Sequence, residues 1–195
     1  MTNVTACLSC DPGKYCNSTG LESVTGDCME GFYCISGSSS SAPMDGVTGD
    51  ICPAGSYCPT GSAYHLFCAN GTYTNHTGGT YCYDCPAGFY CVNRDSADPC
   101  PTGYYCPQNT GADLQPCPSG TYNPVTGLRN ESECTQCDGG AYCETLALSA
   151  PTGNCSGGYY CASGTLSLLL HILCGLRGVE HCMSSILHKN ISTVY

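Results

Sequence analysis

One short pattern, C-x2-G-x-Y, recurs nine times, opening at Cys10, Cys28, Cys52, Cys68, Cys85, Cys100, Cys117, Cys137 and Cys155. Seven copies close with a second cysteine in C-x5-C spacing, at Cys16, Cys34, Cys58, Cys91, Cys106, Cys143 and Cys161. Recurrence at steps of 15 to 24 residues is the signature of a tandem array, in which each unit is too short to bury a face by itself. The expected fold class is therefore small and disulfide-rich. We read residues 1–161 as an elongated tandem array of short β-hairpin and loop modules, with little helix before residue 162.

Composition explains why covalent bonds are needed. There are 21 cysteines in 195 residues, three Phe and no Trp, and many Leu and Ile lie in the last thirty-five residues. A chain this poor in apolar bulk cannot build one large core and relies on bridges instead. Such a cysteine density belongs to an oxidising compartment. Asparagine points the same way. Seven of the ten Asn sit in N-x-S/T sequons, at Asn3, Asn17, Asn70, Asn75, Asn130, Asn154 and Asn190, where placement by chance would give roughly two. Asn3, Asn17, Asn70, Asn75 and Asn130 are the glycosylation candidates; in Asn154 the middle position is Cys155, and Asn190 falls in a divergent tail.

The net charge of -10 comes from 15 acidic against 5 basic residues. A phosphate backbone requires clustered Lys and Arg, so nucleic-acid binding is excluded as a reading. The acidic residues are scattered and offer no calcium loop. The first residues show no basic segment leading into an apolar run. With so many cysteines and sequons, this leads us to expect an internal piece of a longer extracellular protein.

Within each repeat the residue types have separate tasks. The fourth-position glycine, from Gly13 to Gly158, stands where a six-residue span must double back, which favours positive φ. The Tyr two positions on, as in Tyr57, Tyr90 and Tyr105, can lay its ring over a neighbouring bridge with its hydroxyl in water. Pro53, Pro86, Pro101 and Pro118 follow the opening cysteine and favour turn or extended backbone.

Pairing can be approached by counting, though spacing alone leaves it open. The copies at Cys68 and Cys117 lack a closing cysteine and run into longer loops ending in C-x2-C. One scheme joins Cys68 to Cys82 and Cys117 to Cys134, together with the seven C-x5-C pairs, and leaves Cys7 over. Its partner would then lie upstream of Met1. A rival scheme joins each closing cysteine to the next opening one, as Cys16 with Cys28 or Cys91 with Cys100.

The segments CPAGSYC, CPAGFYC, CPTGYYCPQNTG and CPSGTYNPVTGLRNESECTQC resemble ephrin-receptor-like cysteine-rich repeats. They are more distantly similar to growth-factor-receptor, EGF-like and tumour-necrosis-factor-receptor cysteine-rich modules. The resemblance covers roughly residues 7–161. It implies a rod of small modules in an ectodomain, beside other adhesion or receptor domains. The string SGSSSSAP between Ser36 and Met44 departs from the pattern and reads as a flexible excursion.

Residues 162–195 form a second, divergent region. Its apolar stretch Leu166–Leu176 is shorter than the roughly twenty residues that cross a bilayer. His171, Cys174, His181 and Cys182 are a nominal zinc set, which we set below an amphipathic helix, a disordered extension or a membrane-proximal remnant.

The leading functional expectation is an extracellular structural or interaction module: a glycosylated, disulfide-stapled stalk or ectodomain segment of a receptor or adhesion-type protein. It would be no enzyme, carry no cofactor and take no small-molecule substrate. Its partner would be an unidentified extracellular protein, and it would meet a membrane only through other parts of its parent. The alternatives are a thiol-disulfide exchange enzyme acting through Cys7/Cys10, Cys82/Cys85 or Cys134/Cys137, and a thiolate metal-binding protein. A redox C-x2-C opens a helix whose N-terminus lowers the thiol pKa, whereas turn residues follow each pair here. The paired tyrosines Tyr104/Tyr105 and Tyr159/Tyr160 are candidate contact rings, and His65 and His76 read as solvated loop side chains.

Overall fold

The computed structural model describes residues 9–157 and 159–166. Among them there is no α-helix, and the one helical element is a single 3-10 turn, Glu131–Glu133. The chain divides into two compact units. The first runs to Pro99 and includes Pro107–Leu114; the second holds Cys100–Cys106 and the chain from Gln115.

Eight antiparallel hairpins make up the regular structure. In the first unit, β1 (Lys14–Tyr15) pairs with β2 (Gly26–Asp27), β3 (Phe32–Cys34) with β4 (Gly49–Ile51), and β5 (Ser56–Tyr57) with β6 (Leu66–Phe67). It also pairs β7 (Thr72–Tyr73) with β8 (Tyr83–Asp84) and β9 (Phe89–Tyr90) with β10 (Asp98–Pro99). The second unit pairs β11 (Tyr104–Tyr105) with β12 (Gln115–Pro116), β13 (Thr121–Tyr122) with β14 (Thr135–Gln136), and β15 (Ala141–Tyr142) with β16 (Gly153–Asn154). Every hairpin thus joins the x-Y of one repeat to the residues just before the next opening cysteine. Strands of two or three residues are not stable in water by themselves, so their stability has to come from elsewhere.

Nine disulfides supply it. Seven close short loops: Cys10–Cys16, Cys28–Cys34, Cys52–Cys58, Cys85–Cys91, Cys100–Cys106, Cys137–Cys143 and Cys155–Cys161. Two close longer ones, Cys68–Cys82 and Cys117–Cys134. Cα separations of 5.7 to 6.2 Å fall in the range a disulfide spans. The rival joining of Cys16 to Cys28 and Cys91 to Cys100 is not made. The core consists of these sulfurs. Among the described residues the buried apolar side chains are cysteines, joined by Pro43 and by Leu128, which packs with Cys117 and Cys134 under Tyr105.

Backbone hydrogen bonds link successive repeats within each unit, most of them through the same three atoms. The glycine N–H donates to the seventh-position carbonyl of the following repeat, as Gly13 to Cys34 at 2.8 Å and Gly120 to Cys143 at 2.8 Å. The seventh-position N–H donates into the following loop, as Cys16 to Ser38 and Cys106 to Leu128, both 2.9 Å. The opening cysteine's carbonyl accepts from that loop too, as Cys10 from Gly37 and Cys100 from Gly127, both 2.8 Å. Polar backbone that a small core would otherwise strand is satisfied in this way.

Most repeats make two left-handed corners. Eight fourth-position glycines have φ between 77° and 91°; Gly158 lies outside the described residues. The second corner, in the loop after the seventh position, is a glycine in most repeats but is Asn109 (φ 65°) and Ala147 (φ 59°) in two, and the loop after Cys91 has no residue at positive φ. The corners meet two repeats apart. A Cβ on Gly103 would stand 2.3 Å from the Ala147 carbonyl oxygen, and one on Gly31 2.8 Å from that of Gly78. Glycine is needed at Gly103 both for its φ and for this approach.

Two expectations change. The string from Ser36 to Met44 is no flexible excursion: Ser38 is buried, and the carbonyls of Ser38 and Ser41 accept from Cys16 and Met29 at 2.9 and 2.8 Å. The Ser36 hydroxyl adds a bond to the Cys10 carbonyl at 3.2 Å. Serine serves here because its backbone and hydroxyl fill positions in the interlock. Beyond it, Asp45 ties the β3–β4 loop by accepting from the N–H groups of Thr48 and Val47 and from the Thr48 hydroxyl; these bonds draw its pKa down to about 2.

The repeat tyrosines from Tyr15 to Tyr142 are half-buried and Tyr160 is exposed, but a bridge is not always beneath them. The Tyr15 ring lies against its cross-strand partner Gly26, and the Tyr142 ring against Gly153. Each ring covers a strand residue that has no side chain of its own to pack. Tyr105 does lie on a bridge, that of Cys117 and Cys134.

Candidate functional site

The first unit carries two exposed aromatic features. Strand β6 ends on Phe67, 65% exposed. Its ring meets His65 edge-on at 5.1 Å, and His65 meets Tyr33 of β3 at 5.5 Å. Above Phe67, at 5.4 Å from the ring centroid, sits the guanidinium carbon of Arg94, a cation–π arrangement. Arg94 is held by its own backbone, whose carbonyl accepts from Thr74 at 2.9 Å. Gly55, Phe67, Val92, Arg94 and Asp95 line a shallow groove of about 430 Å³ beside the stack. His65 is half-buried, with Nδ1 buried and unpaired, rather than a solvated loop side chain. An open groove with a cation, an apolar ring and a neighbouring carboxylate has the chemistry of a contact surface.

The second feature surrounds Tyr83 of β8. Tyr73 stands opposite it in register with ring centroids 6.4 Å apart, Tyr81 lies at 4.7 Å and His76 at 6.2 Å. Tyr81 and Tyr83 flank Cys82, so the Cys68–Cys82 bridge fixes both. They remain 56% and 41% exposed. The Tyr83 hydroxyl beside it pushes the Tyr81 phenol above its ordinary pKa.

The described sequon asparagines are all exposed, but their surroundings differ. The Asn17 carboxamide oxygen accepts from the Thr25 hydroxyl at 3.1 Å. Asn70 accepts from the Ala112 N–H at 3.3 Å, and a Cβ on Gly111 would collide with its carboxamide. Asn130 precedes the 3-10 turn and donates to Glu133 at 3.1 Å. Asn154 lies in β16. Asn75 lies near the start of the β7–β8 loop, two residues after Tyr73, and makes no side-chain hydrogen bond among the described residues. Asn3 and Asn190 lie outside the described residues, as do Cys7 and the set His171, Cys174, His181 and Cys182. Of the stretch Leu166–Leu176 only Leu166 is described, and it is exposed.

Two positions escaped sequence reasoning. Thr74 and Asn123 stand seventh in the repeats of Cys68 and Cys117, where the others have a closing cysteine, and both are fully buried. The Thr74 hydroxyl bonds the Ser56 carbonyl at 3.2 Å and touches Cys68 Sγ at 3.2 Å. Asn123 donates to the Tyr104 carbonyl and accepts from the Val125 N–H, both at 3.0 Å. Alignment of the repeats on their glycine was the available signal.

Cys82 and Cys85, and likewise Cys134 and Cys137, belong to different bridges. Among the described residues no group of three or more His, Cys, Asp or Glu is placed to hold a metal, and no helix is long and apolar enough to cross a membrane. Fold and bridges together define the class: a small disulfide-stapled array of two-stranded hairpins, suited to an oxidising environment. Neither known protein families nor curated proteins give a match to the chain.

Proposed function

We propose that this chain is a non-enzymatic extracellular module, a glycosylated spacer or contact segment of a receptor or adhesion-type protein, built from ephrin-receptor-like repeats. The observation that carries the reading is the use of the cystines. They fill the interior, and the backbone atoms of the cysteines bearing them form the bonds between repeats, so the fold requires oxidised sulfur. The sequons support secretion, and the Arg94–Phe67 groove offers a surface to an extracellular protein.

The test is secretion from a eukaryotic host, with free thiols alkylated before digestion and the peptides mapped unreduced. The expected result is Cys68 joined to Cys82, Cys117 to Cys134 and the C-x5-C cysteines to each other. Protein that is retained with most cysteines alkylated, or that turns over in an insulin-reduction assay, overturns the proposal.

A further inference from the structure

The ring cluster around Tyr83 is unusual in having a sequon inside it. Tyr73 lies two residues before Asn75 and His76 one residue after, and both rings pack on Tyr83. Asn75 is thereby held between two of the four rings. Thr74, immediately before it, is fully buried and hydrogen-bonded to Ser56, so the backbone leading to Asn75 is anchored. Tyr81 and Tyr83 are anchored in turn by Cys82 between them. The result is an exposed aromatic platform with Asn75 in the chain between two of its rings.

An aromatic face is electronegative and favours contact with polarised hydrogens. N-acetylglucosamine has such a face, where its ring C–H groups project to one side. A tethered sugar also reaches the platform without the translational loss of a free ligand. Of the other described sequons, Asn130 commits its carboxamide nitrogen, the atom that carries a glycan, to Glu133, and the Asn70 carboxamide is packed against Gly111.

We propose that Tyr73, His76, Tyr81 and Tyr83 form the seat of an N-linked glycan on Asn75, whose innermost N-acetylglucosamine stacks on the exposed faces of Tyr81 and Tyr83. The glycan is then part of the folded structure of this hairpin. This inference rests on the extracellular reading above.

The experiment uses the whole chain secreted from a eukaryotic host. Glycopeptide mass spectrometry reads which sequons are occupied. Hydroxyl-radical footprinting reads Tyr81 and Tyr83 before and after enzymatic glycan removal from the folded protein, a comparison that needs no mutant to fold. The expected result is Asn75 occupied, with oxidation of both tyrosines rising several-fold once the sugar is gone. Glycan loss through Asn75→Gln is expected to lower Tm by about 2–4 °C, an effect absent in the Y81S/Y83S background and for Asn17→Gln. Glycans at Asn17 or Asn130 with Asn75 bare, or an occupied Asn75 whose removal leaves the tyrosine footprint unchanged, overturn this inference and leave the extracellular reading standing. Secreted protein without glycan at any sequon overturns this inference and removes the sequon argument for the extracellular reading.

Discussion

The repeats closed by a six-residue bridge and the two at Cys68 and Cys117 solve one problem in different ways. In the short form the seventh residue is a cysteine that bonds back to the opening sulfur, while its carbonyl accepts from the preceding repeat's glycine, as at Cys34 and Cys143. In the long form the sulfur is moved to Cys82 or Cys134, yet the seventh residue keeps its backbone role: the Thr74 carbonyl accepts from Gly55, and that of Asn123 from Gly103, both at 2.9 Å. The buried side chain changes from a cystine to a hydrogen-bonding group. The invariant of this fold is thus the position of a carbonyl, and the bridge can move if a polar side chain fills the space that it leaves.

The comparison can be broken most forcefully at the bridges. Loop closure of six residues is worth about 2 kcal/mol and of seventeen about 3 kcal/mol. Replacing Cys117 and Cys134 by serine is therefore expected to destabilise the second unit more than the same change at Cys100 and Cys106, as read by urea unfolding. It would also disturb the packing of Leu128 and Tyr105. Equal losses from the two pairs would mean that the long loop contributes nothing through its length.

Next in size is Asn123→Ala. It leaves the Tyr104 carbonyl and the Val125 N–H without their partner, and an expected loss of about 2 kcal/mol follows. Thr74→Val keeps the shape and removes one hydroxyl, for about 1 kcal/mol. A Thr74→Val effect near zero would show that filling space, rather than hydrogen bonding, is what the seventh position needs.

The smallest expected effect has the opposite sign. Ala147 occupies a left-handed corner that glycine fills in most repeats, and relief of its backbone strain by Ala147→Gly is expected to stabilise the chain by about 1 kcal/mol. Thermal unfolding that shows no gain would mean that the methyl group is packed usefully where it is.

Much of the hairpin array was legible in the sequence, because C-x2-G-x-Y places the turn glycine and the strand tyrosine at fixed distances from each bridge. What stayed hidden depends on contacts between repeats. Nothing local marks Thr74 or Asn123 as buried, since Thr and Asn in a loop normally face water. The second corner was obscured by its substitution in Asn109 and Ala147, and alanine is not a residue expected at positive φ. The serine string was misread because polar composition says nothing about carbonyls accepting from Cys16 and Met29. Likewise Arg94 meets Phe67, and Asn70 meets Ala112, across tens of residues. The sequons and the tyrosines around Asn75 could each be read, but not that Tyr83 draws those rings together.

The unequal bridges also set how the chain would respond to a pulling force. Between Cys34 and Cys52, 17 residues lie outside any covalent loop, enough for roughly 60 Å of extended chain once their bonds part. Between Cys82 and Cys85 only Tyr83 and Asp84 are free, roughly 10 Å from one cysteine to the other. Under tension in an oxidising medium, the repeats at Cys68 and Cys117 would behave as stiff links between others that can yield, so extensibility is distributed unevenly along the array by the placement of two sulfurs.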